Sequence, residues 1–360
     1  MKILYAIQGT GNGHVSRARD IIPILKKNHE VDILISGLQA DVDLPYDIKY
    51  RYNGLGFIFG KKGGIDLLAT LRKNSINILF LEINSLPVQI YDLVINDFEP
   101  VSAWACYQKN KKCISLSHQS AVLNKNAPQA KKADLIGKAI LKKYAPVDVE
   151  YGFHFKPYAS NIFTPVIRKQ IREHAVSDRG HYTVYLPAYD DQRILKVLKE
   201  CKDTTWEVFS KHNKRVIKEK NIIIQPISNE AFIGSMATAR GVLCGAGFET
   251  PAEALFMKKK LLVIPMKGQY EQQCNAAALK EMGVPVIKSL KQKHLHIIQE
   301  WLENDEIITV DYPDDTEEIV NKILAEYAPI KATEAVRPGR VAYNGKGLRK
   351  VMLKKIVAQF

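Results

Sequence analysis

No stretch of the sequence approaches the roughly 20 consecutive apolar residues that a membrane-spanning helix needs, which argues against a helical membrane protein. The apolar start, Met1–Ile7, is short and runs into Gln8 and a glycine-rich turn, with no small-residue cleavage site. It reads as a strand and not as a signal peptide, so the expected location is cytoplasmic, with peripheral contact to the inner face of the membrane left open. Cysteine is scarce: Cys106, Cys113, Cys201, Cys244 and Cys274 are odd in number and scattered, and no CxxC occurs. This excludes a disulfide scaffold and reads as free thiols in a reducing compartment. Asp41-Val42-Asp43 superficially resembles a metal-binding DxD, but it lies in a polar loop with no supporting ligand pattern, and no metal site is expected. Internal repeats and low-complexity segments are also absent.

What is present is a chain of 360 residues, 46% hydrophobic and 25% charged, long enough for two domains that each bury a core. Lys plus Arg number 52 and Asp plus Glu 38, so the formal charge is 52 − 38 = +14. Half of that excess lies at the end: residues 331–360 hold eight basic residues and one acid, 8 − 1 = +7. Such a surface attracts anionic lipid, nucleic acid or phosphorylated substrate, and charge alone does not choose among them. Within the tail, Leu348, Val351, Met352 and Ile356 form one stripe of a helix over Leu348–Phe360, suited to an anionic membrane or to docking back on the first domain.

Short β-branched runs alternate with helical patterns. Strands are expected at Lys2–Ile7, Val31–Ser36, Leu93–Asn96 and Lys112–Ser117, with helices at Val15–Lys27 and Val101–Lys109. The alternation pauses at Phe155–Ser177, which holds Pro157 and Pro165 and no sustained period, and then restarts. Strands are expected at Tyr182–Leu186, Trp206–Ser210, Asn221–Gln225, Gly241–Cys244 and Lys260–Ile264. Helices are expected at Gln192–Glu200, Asn229–Thr238, Pro251–Met257 and Glu271–Met282. The implied fold is α/β, two doubly wound Rossmann-like domains facing across a cleft. The expected divisions are 1–156 for the first domain, 157–178 for a linker, 179–330 for the second domain and 331–360 for the basic tail. In both domains ligands belong at the carboxyl ends of the strands.

The first strand ends in Gly9-Thr-Gly11-Asn12-Gly13-His14, and a helix follows. Glycines let backbone approach a ligand, and the helix start offers N–H groups to an anion. A nicotinamide fingerprint is incomplete here: His14 stands at the last glycine position, and no acid ends the second strand. A neutral His14 at a helix start can accept a proton; equally, it can be a polar helix-start residue. A second turn reads Cys244-Gly245-Ala-Gly247-Phe248-Glu249-Thr250-Pro-Ala-Glu253, and a third segment runs Gly268-Gln-Tyr-Glu271-Gln272-Gln273-Cys-Asn-Ala276. Thr250-Pro251-Ala252-Glu253 matches a capping box, with Thr250 as cap and Glu253 reaching back. A carboxylate with two oxygens can also accept from a ribose diol while the helix start holds a diphosphate.

Together these segments resemble the inverting GT-B glycosyltransferases, in the group of the lipid-linked muramyl peptide N-acetylglucosaminyltransferases and the monogalactosyldiacylglycerol synthases. The resemblance covers both domains, in order. It implies a donor site at Gly245, Gly247, Phe248, Glu249, Thr250, Glu253, Gln272 and Gln273. Glu253 would bind the ribose and the two glutamines the sugar; alignment from Asn275 instead puts Glu271 and Gln272 there. It implies an acceptor-side loop at Gly11, Asn12 and Gly13, with His14 a candidate base, and no metal or other cofactor. The sequence departs from the family at Leu186-Pro-Ala-Tyr-Asp-Asp191, where a glycine- and serine-rich phosphate turn is usual. Asp190 and Asp191 are therefore expected to point away or to cap the next helix.

Asp97 and Glu99 follow one strand and His118 the next, so each can face the cleft. Asp97 and Glu99 join His14 as candidate catalytic groups, and His118 joins the acceptor side; Asp97 can equally cap the helix after Pro100. Arg168 and Arg172 can neutralise a diphosphate at the domain junction or stay solvated. The leading expectation is transfer of a hexosyl group from a nucleotide diphosphate sugar, a UDP-sugar by resemblance, to a glycan or lipid-linked acceptor, with inversion. An epimerase of the same fold, which needs a donor and no acceptor, is the rival enzyme. A nucleic-acid-binding protein using the basic tail is the rival from another class; nucleic acid is not an expected partner under the leading reading.

Overall fold

The computed structural model describes residues 1–10, 12–37, 44–55, 76–130 and 135–327. Gly11, Asp41-Val42-Asp43 and the whole tail with its expected helix lie outside the described residues.

The first sheet has strands β1 (Lys2–Gln8), β2 (Glu30–Ser36), β3 (Tyr50–Tyr52), β4 (Leu93–Asp97), β5 (Cys113–Leu116), β6 (Val149–Phe153) and β7 (Ile162–Phe163). Their order is β3-β2-β1-β4-β5-β6-β7, and every pairing is parallel. Helices α1 (Asn12–Lys26), α2 (Ile76–Ser85), α3 (Pro100–Gln108), α4 (His118–Leu123) and α5 (Leu135–Tyr144) accompany it. The middle strand β1 is buried at every position after Lys2, which is why it reads as a continuous apolar run without alternation. Strand order reverses between β1 and β4. The turn after β1 and the end of β4 therefore open side by side, at the place where doubly wound sheets bind ligands.

After α6 (Lys169–Arg172) comes a second sheet: β8 (Tyr182–Tyr185), β9 (Trp206–Ser210), β10 (Ile217–Glu219), β11 (Ile222–Pro226), β12 (Gly241–Gly245) and β13 (Lys260–Ile264). The order is β10-β11-β9-β8-β12-β13, antiparallel only at the β10–β11 edge. Its helices are α7 (Asp191–Leu198), α8 (Asn229–Thr238), α9 (Glu249–Phe256), α10 (Tyr270–Glu281), α11 (Leu295–Glu303) and α12 (Thr316–Tyr327). Here the reversal falls between β8 and β12, so the turn into α9 opens at that point.

The division expected from the sequence is corrected at two places. β7 lies inside the expected linker yet pairs with β6, so the first sheet continues to Phe163. α12 packs on α1 of the first domain, with Ile319, Val320, Ile323 and Leu324 in the same core as Ile21, Ile22 and Leu25. Lys27 holds Glu317 at 2.5 Å, and the Tyr151 hydroxyl donates to Glu326 at 2.6 Å. The chain thus returns across the junction and ties the domains together a second time.

Candidate functional site

His14 sits in the first turn of α1, and Asp97 is the last residue of β4; the strand order makes them neighbours. His14 Nδ1 lies 2.8 Å from Asp97 Oδ1, and Asp97 is fully buried. Arg17, one turn along α1, sends Nη2 to both Asp97 oxygens at 2.8 Å and Nε to Oδ2 at 3.2 Å. Its other nitrogen, Nη1, reaches Glu249 of the second domain at 2.7 Å. The Arg17 side chain is 2% exposed and that of Glu249 28%. Burial works against ionising Asp97, but Arg17 and His14 outweigh it and hold the carboxyl below its ordinary range. Burial likewise works against the Arg17 charge, and Asp97 and Glu249 overcome it.

An ionised Asp97 accepts the proton on Nδ1, which fixes the His14 tautomer and leaves Nε2 as the lone-pair nitrogen. Nε2 lies 3.4 Å from the amide nitrogen of Gln119. Gln119 in turn donates to Glu271 at 3.1 Å, which settles the orientation of its amide. His14 is 12% exposed, and its ring lies nearly parallel to Phe98, with centroids 6.3 Å apart. Phe98 has φ 56°, a left-handed backbone that is uncommon for a bulky residue.

Glu99 has a different place. It is the N-cap of α3, its carboxylate accepting from Val101 N at 2.7 Å, Ser102 N at 2.6 Å and the Ser36 hydroxyl at 2.6 Å. Burial pushes its carboxyl up against those bonds. The sequence leaves Asp97 open as a catalytic group or as the cap of that helix; Glu99 takes the cap, and Asp97 turns to His14. His118 is buried; its Nδ1 donates to the Phe153 carbonyl and its Nε2 meets the Asn275 side-chain amide, both at 2.8 Å, and the ring stacks on Phe248 with centroids 3.9 Å apart. It is a contact between domains, and burial draws its imidazole down.

In the second domain, the capping box is overturned. α9 starts at Glu249, its N-cap is Phe248 with no side-chain cap bond, and Thr250 falls inside the helix. Glu253 does not reach back. Its two oxygens take Arg168 Nε at 2.5 Å and Nη2 at 2.8 Å. The resemblance singled out Glu253, but its partner was legible only as a charge in a linker; Arg168 is not a solvated side chain. Burial pushes the Glu253 carboxyl up against the pull of Arg168, which stays charged. A Cβ on Gly247 would meet nothing within 4 Å, and one on Gly245 only ordinary contacts at 3.8 and 3.9 Å. Gln272 folds back so that its carbonyl accepts from Met266 N at 2.9 Å, and Gln273 is half-buried beside it. Asp190 caps α7 through Arg193 N, and Asp191 accepts from the Ser210 hydroxyl, so both acids are engaged in the second domain's own structure.

Asn12 opens α1, and Gly13 faces Glu249 across the cleft. Arg17 was missed by the sequence reading. The available signal was its spacing: three residues after His14 on one helix, it must share that face. Its acidic partners lie 80 and 232 residues away, and nothing local announces them. Among the described residues no group of three or more His, Cys, Asp or Glu is placed to hold a metal ion, and no helix is long and apolar enough to cross a membrane.

Two parallel-sheet domains with facing glycine-rich turns define the GT-B architecture. The chain belongs to glycosyl transferase family 1, which matches residues 1–304. Among solved structures it is similar to the glycotransferase of kitacinnamycin, at 10% identity and TM-score 0.57, over 98% of each chain. It is also similar to Acinetobacter baumannii MurG, at 14% identity and TM-score 0.56, over 90% of this chain and all of that one. S. aureus MnaA, in a structure with UDP, aligns at 12% identity and TM-score 0.55, over 91% of this chain and 97% of that one. At these identities the likeness is one of fold. No curated protein matches the sequence.

Proposed function

We propose that this glycosyltransferase moves a hexosyl group from a UDP-sugar to a hydroxyl acceptor in one inverting displacement, with His14 as base and without a metal cofactor. The observation that carries the reading is the buried Asp97 on His14 Nδ1, which leaves Nε2 on the side of Gln119, whose amide also bonds Glu271 of the second domain. The acceptor oxygen attacks the anomeric carbon and gives its proton to His14 Nε2. The bond from that carbon to the diphosphate breaks, its electron pair leaving with the phosphate oxygen. One displacement inverts the anomeric centre. Asp97 orients the imidazole and stabilises the imidazolium.

The donor side is supported by Gly245 and Gly247. A side chain would meet nothing at Gly247 and only ordinary contacts at Gly245, and neither has a positive φ, so the space suits a ligand approaching backbone. The uncapped start of α9 presents N–H groups to the leaving diphosphate. Arg17 neutralises Glu249 at that same helix start, where a free carboxylate would repel phosphate. Glu253 can hold Arg168 and still accept from ribose hydroxyls with its remaining lone pairs. The likeness to MnaA, solved with UDP, favours UDP as the nucleotide. The cytoplasmic location and the membrane contact of the basic tail remain part of the proposal.

Calorimetric titration with UDP, GDP, CDP and dTDP tests the donor site. One nucleotide is expected to bind, and Glu253→Gln to weaken it by roughly 1–3 kcal/mol as a hydrogen-bond partner is lost. Binding of none of the four, or unchanged affinity in Glu253→Gln with a lowered melting temperature, would overturn the donor assignment. The anomeric configuration of the product, read by proton NMR, tests inversion.

A further inference from the structure

Beside His14, in the first domain, lies a pocket of about 150 Å³. At roughly 30 Å³ per water it holds about five waters, the scale of one small ring. The ends of β4 and β5 and the helices α4 and α5 form it. Phe98 and Gln119 line it, and these are the two side chains that flank the His14 ring.

The lining is of two chemistries. Part of it is Ser115, Ser117 and Ser120, whose hydroxyls lie 2.6 to 3.3 Å from one another. Three hydroxyls bonded among themselves spend their protons and keep lone pairs to spare. Gln119 adds a stronger acceptor. Its amide nitrogen is engaged by Glu271 and its Oε1, buried, has no partner among the described residues. A buried acceptor left unpaired is costly, and the group that satisfies it must donate. The lining also holds the apolar side chains Phe98, Leu123 and Leu141. Lys142 and Glu150 stand at the rim, one charge of each sign, so the pocket asks for no net charge.

We propose that this pocket is the acceptor subsite and that it takes a neutral sugar ring. A pyranose has a rim of hydroxyl donors for Gln119 Oε1 and the serines, and an apolar C–H face for Phe98. The left-handed backbone at Phe98 fits this use. Such strain is characteristic of functional sites, and here it holds an aromatic ring beside His14. The proposal rests on the glycosyltransfer reading and adds to it: the acceptor hydroxyl belongs to a sugar, and the product is a glycosidic bond between two sugars.

The test uses the full chain with UDP-glucose, UDP-galactose and UDP-N-acetylglucosamine in turn, following UDP release. Acceptor probes are the methyl glycosides of glucose, galactose, mannose and N-acetylglucosamine, octyl glucoside below its micellar concentration, and octanol and phenol as apolar alcohols. At least one methyl glycoside is expected to accelerate UDP release above donor hydrolysis. A further gain with the octyl form would identify a lipid-linked sugar, and equal rates a free glycan end; both support the subsite. Phe98→Gly removes the ring and relieves the positive φ, so it should fold. It is expected to raise the KM for the glycoside roughly tenfold, with UDP affinity unchanged by calorimetry. Ser120→Ala is expected to act in the same direction. Acceleration by octanol or phenol alone, or a glycoside KM indifferent to Phe98→Gly and Ser120→Ala, would overturn the subsite while leaving glycosyltransfer standing. Failure of all four nucleotides to bind would overturn the donor reading, and this inference with it.

Discussion

At the scale of single residues, the chemistry concentrates on four side chains in a row: His14, Asp97, Arg17 and Glu249. Loss of the proposed base should be severe. His14→Asn is expected to lower kcat by roughly 10²- to 10⁴-fold with nucleotide affinity retained, which steady-state rates beside calorimetry would show. Arg17 acts through others. Its fork meets both oxygens of Asp97, a geometry that a lysine ammonium does not reproduce. Arg17→Lys is expected to cost roughly 1–3 kcal/mol in urea unfolding, because a buried carboxylate oxygen loses its donor, and to lower kcat by loosening His14. An unchanged urea midpoint would show that charge alone, not the fork, holds Asp97. The sequence offered His14 as a candidate base and equally as a polar helix-start residue; its pairing with Asp97 is what favours the first. Asp97 and Glu99 were both legible as acids at a strand end, but their roles were not. Two positions apart along the chain, Asp97 turns to His14 and Glu99 into a helix cap.

At the scale of elements, the glycine-rich turn after β1 is built from glycines with different reasons. A Cβ at Gly9 would lie 2.8 Å from Ile35 Cγ2 and 3.0 Å from the Ser36 carbonyl, so the neighbouring strand leaves no room. A Cβ at Gly13 would fall on the Glu249 carboxylate, the free end of a long side chain. Gly9→Ala is therefore expected to destabilise the fold by roughly 1–3 kcal/mol, as overpacking does. Gly13→Ala should lower the melting temperature less than Gly9→Ala does, while displacing Glu249 from Arg17 and weakening nucleotide binding. Thermal melts and calorimetry on the two variants separate these outcomes. The start of α9 carries a similar lesson. Thr250-Pro251-Ala252-Glu253 satisfies the local pattern of a capping box, yet the helix begins one residue earlier than that cap. Arg168, 85 residues away, offers Glu253 a charged, bidentate partner, which outweighs a single bond to a backbone N–H.

At the scale of the whole molecule, the two domains meet through polar contacts that titrate. Burial holds His118 and His154 below the ordinary imidazole value, His154 well below it and with His118 adding to the effect. Between the ordinary value, about 6.5, and the depressed ones, the unfolded chain binds more protons than the folded one. Stability contributed by these histidines is thus complete above that window and is lost as the pH falls through it. Glu99 and Glu253, raised by burial, act in the opposite sense as the pH falls toward their unfolded value. The histidine contribution is isolated by His154→Gln: its melting temperature should fall less than that of the wild type between about pH 7.5 and about pH 5.5. Equal falls would show that His154 does not set the acid sensitivity of the junction.

The alternation of β-branched and helical runs was enough to give two doubly wound domains, because period and turn chemistry are local properties of the chain. The glycine-rich turns were legible for the same reason, and strand edges marked where their ligands belong. The tertiary structure decided everything that depends on distant pairing. It carried the first sheet through to Phe163 and returned α12 to the first domain. It paired Glu253 with Arg168, and it joined Asp97 to His14 and Arg17 and, through Arg17, to Glu249. Those choices depend on which buried charges find compensation when both domains close on one another. That energy belongs to the assembled interior, and no window of sequence contains it.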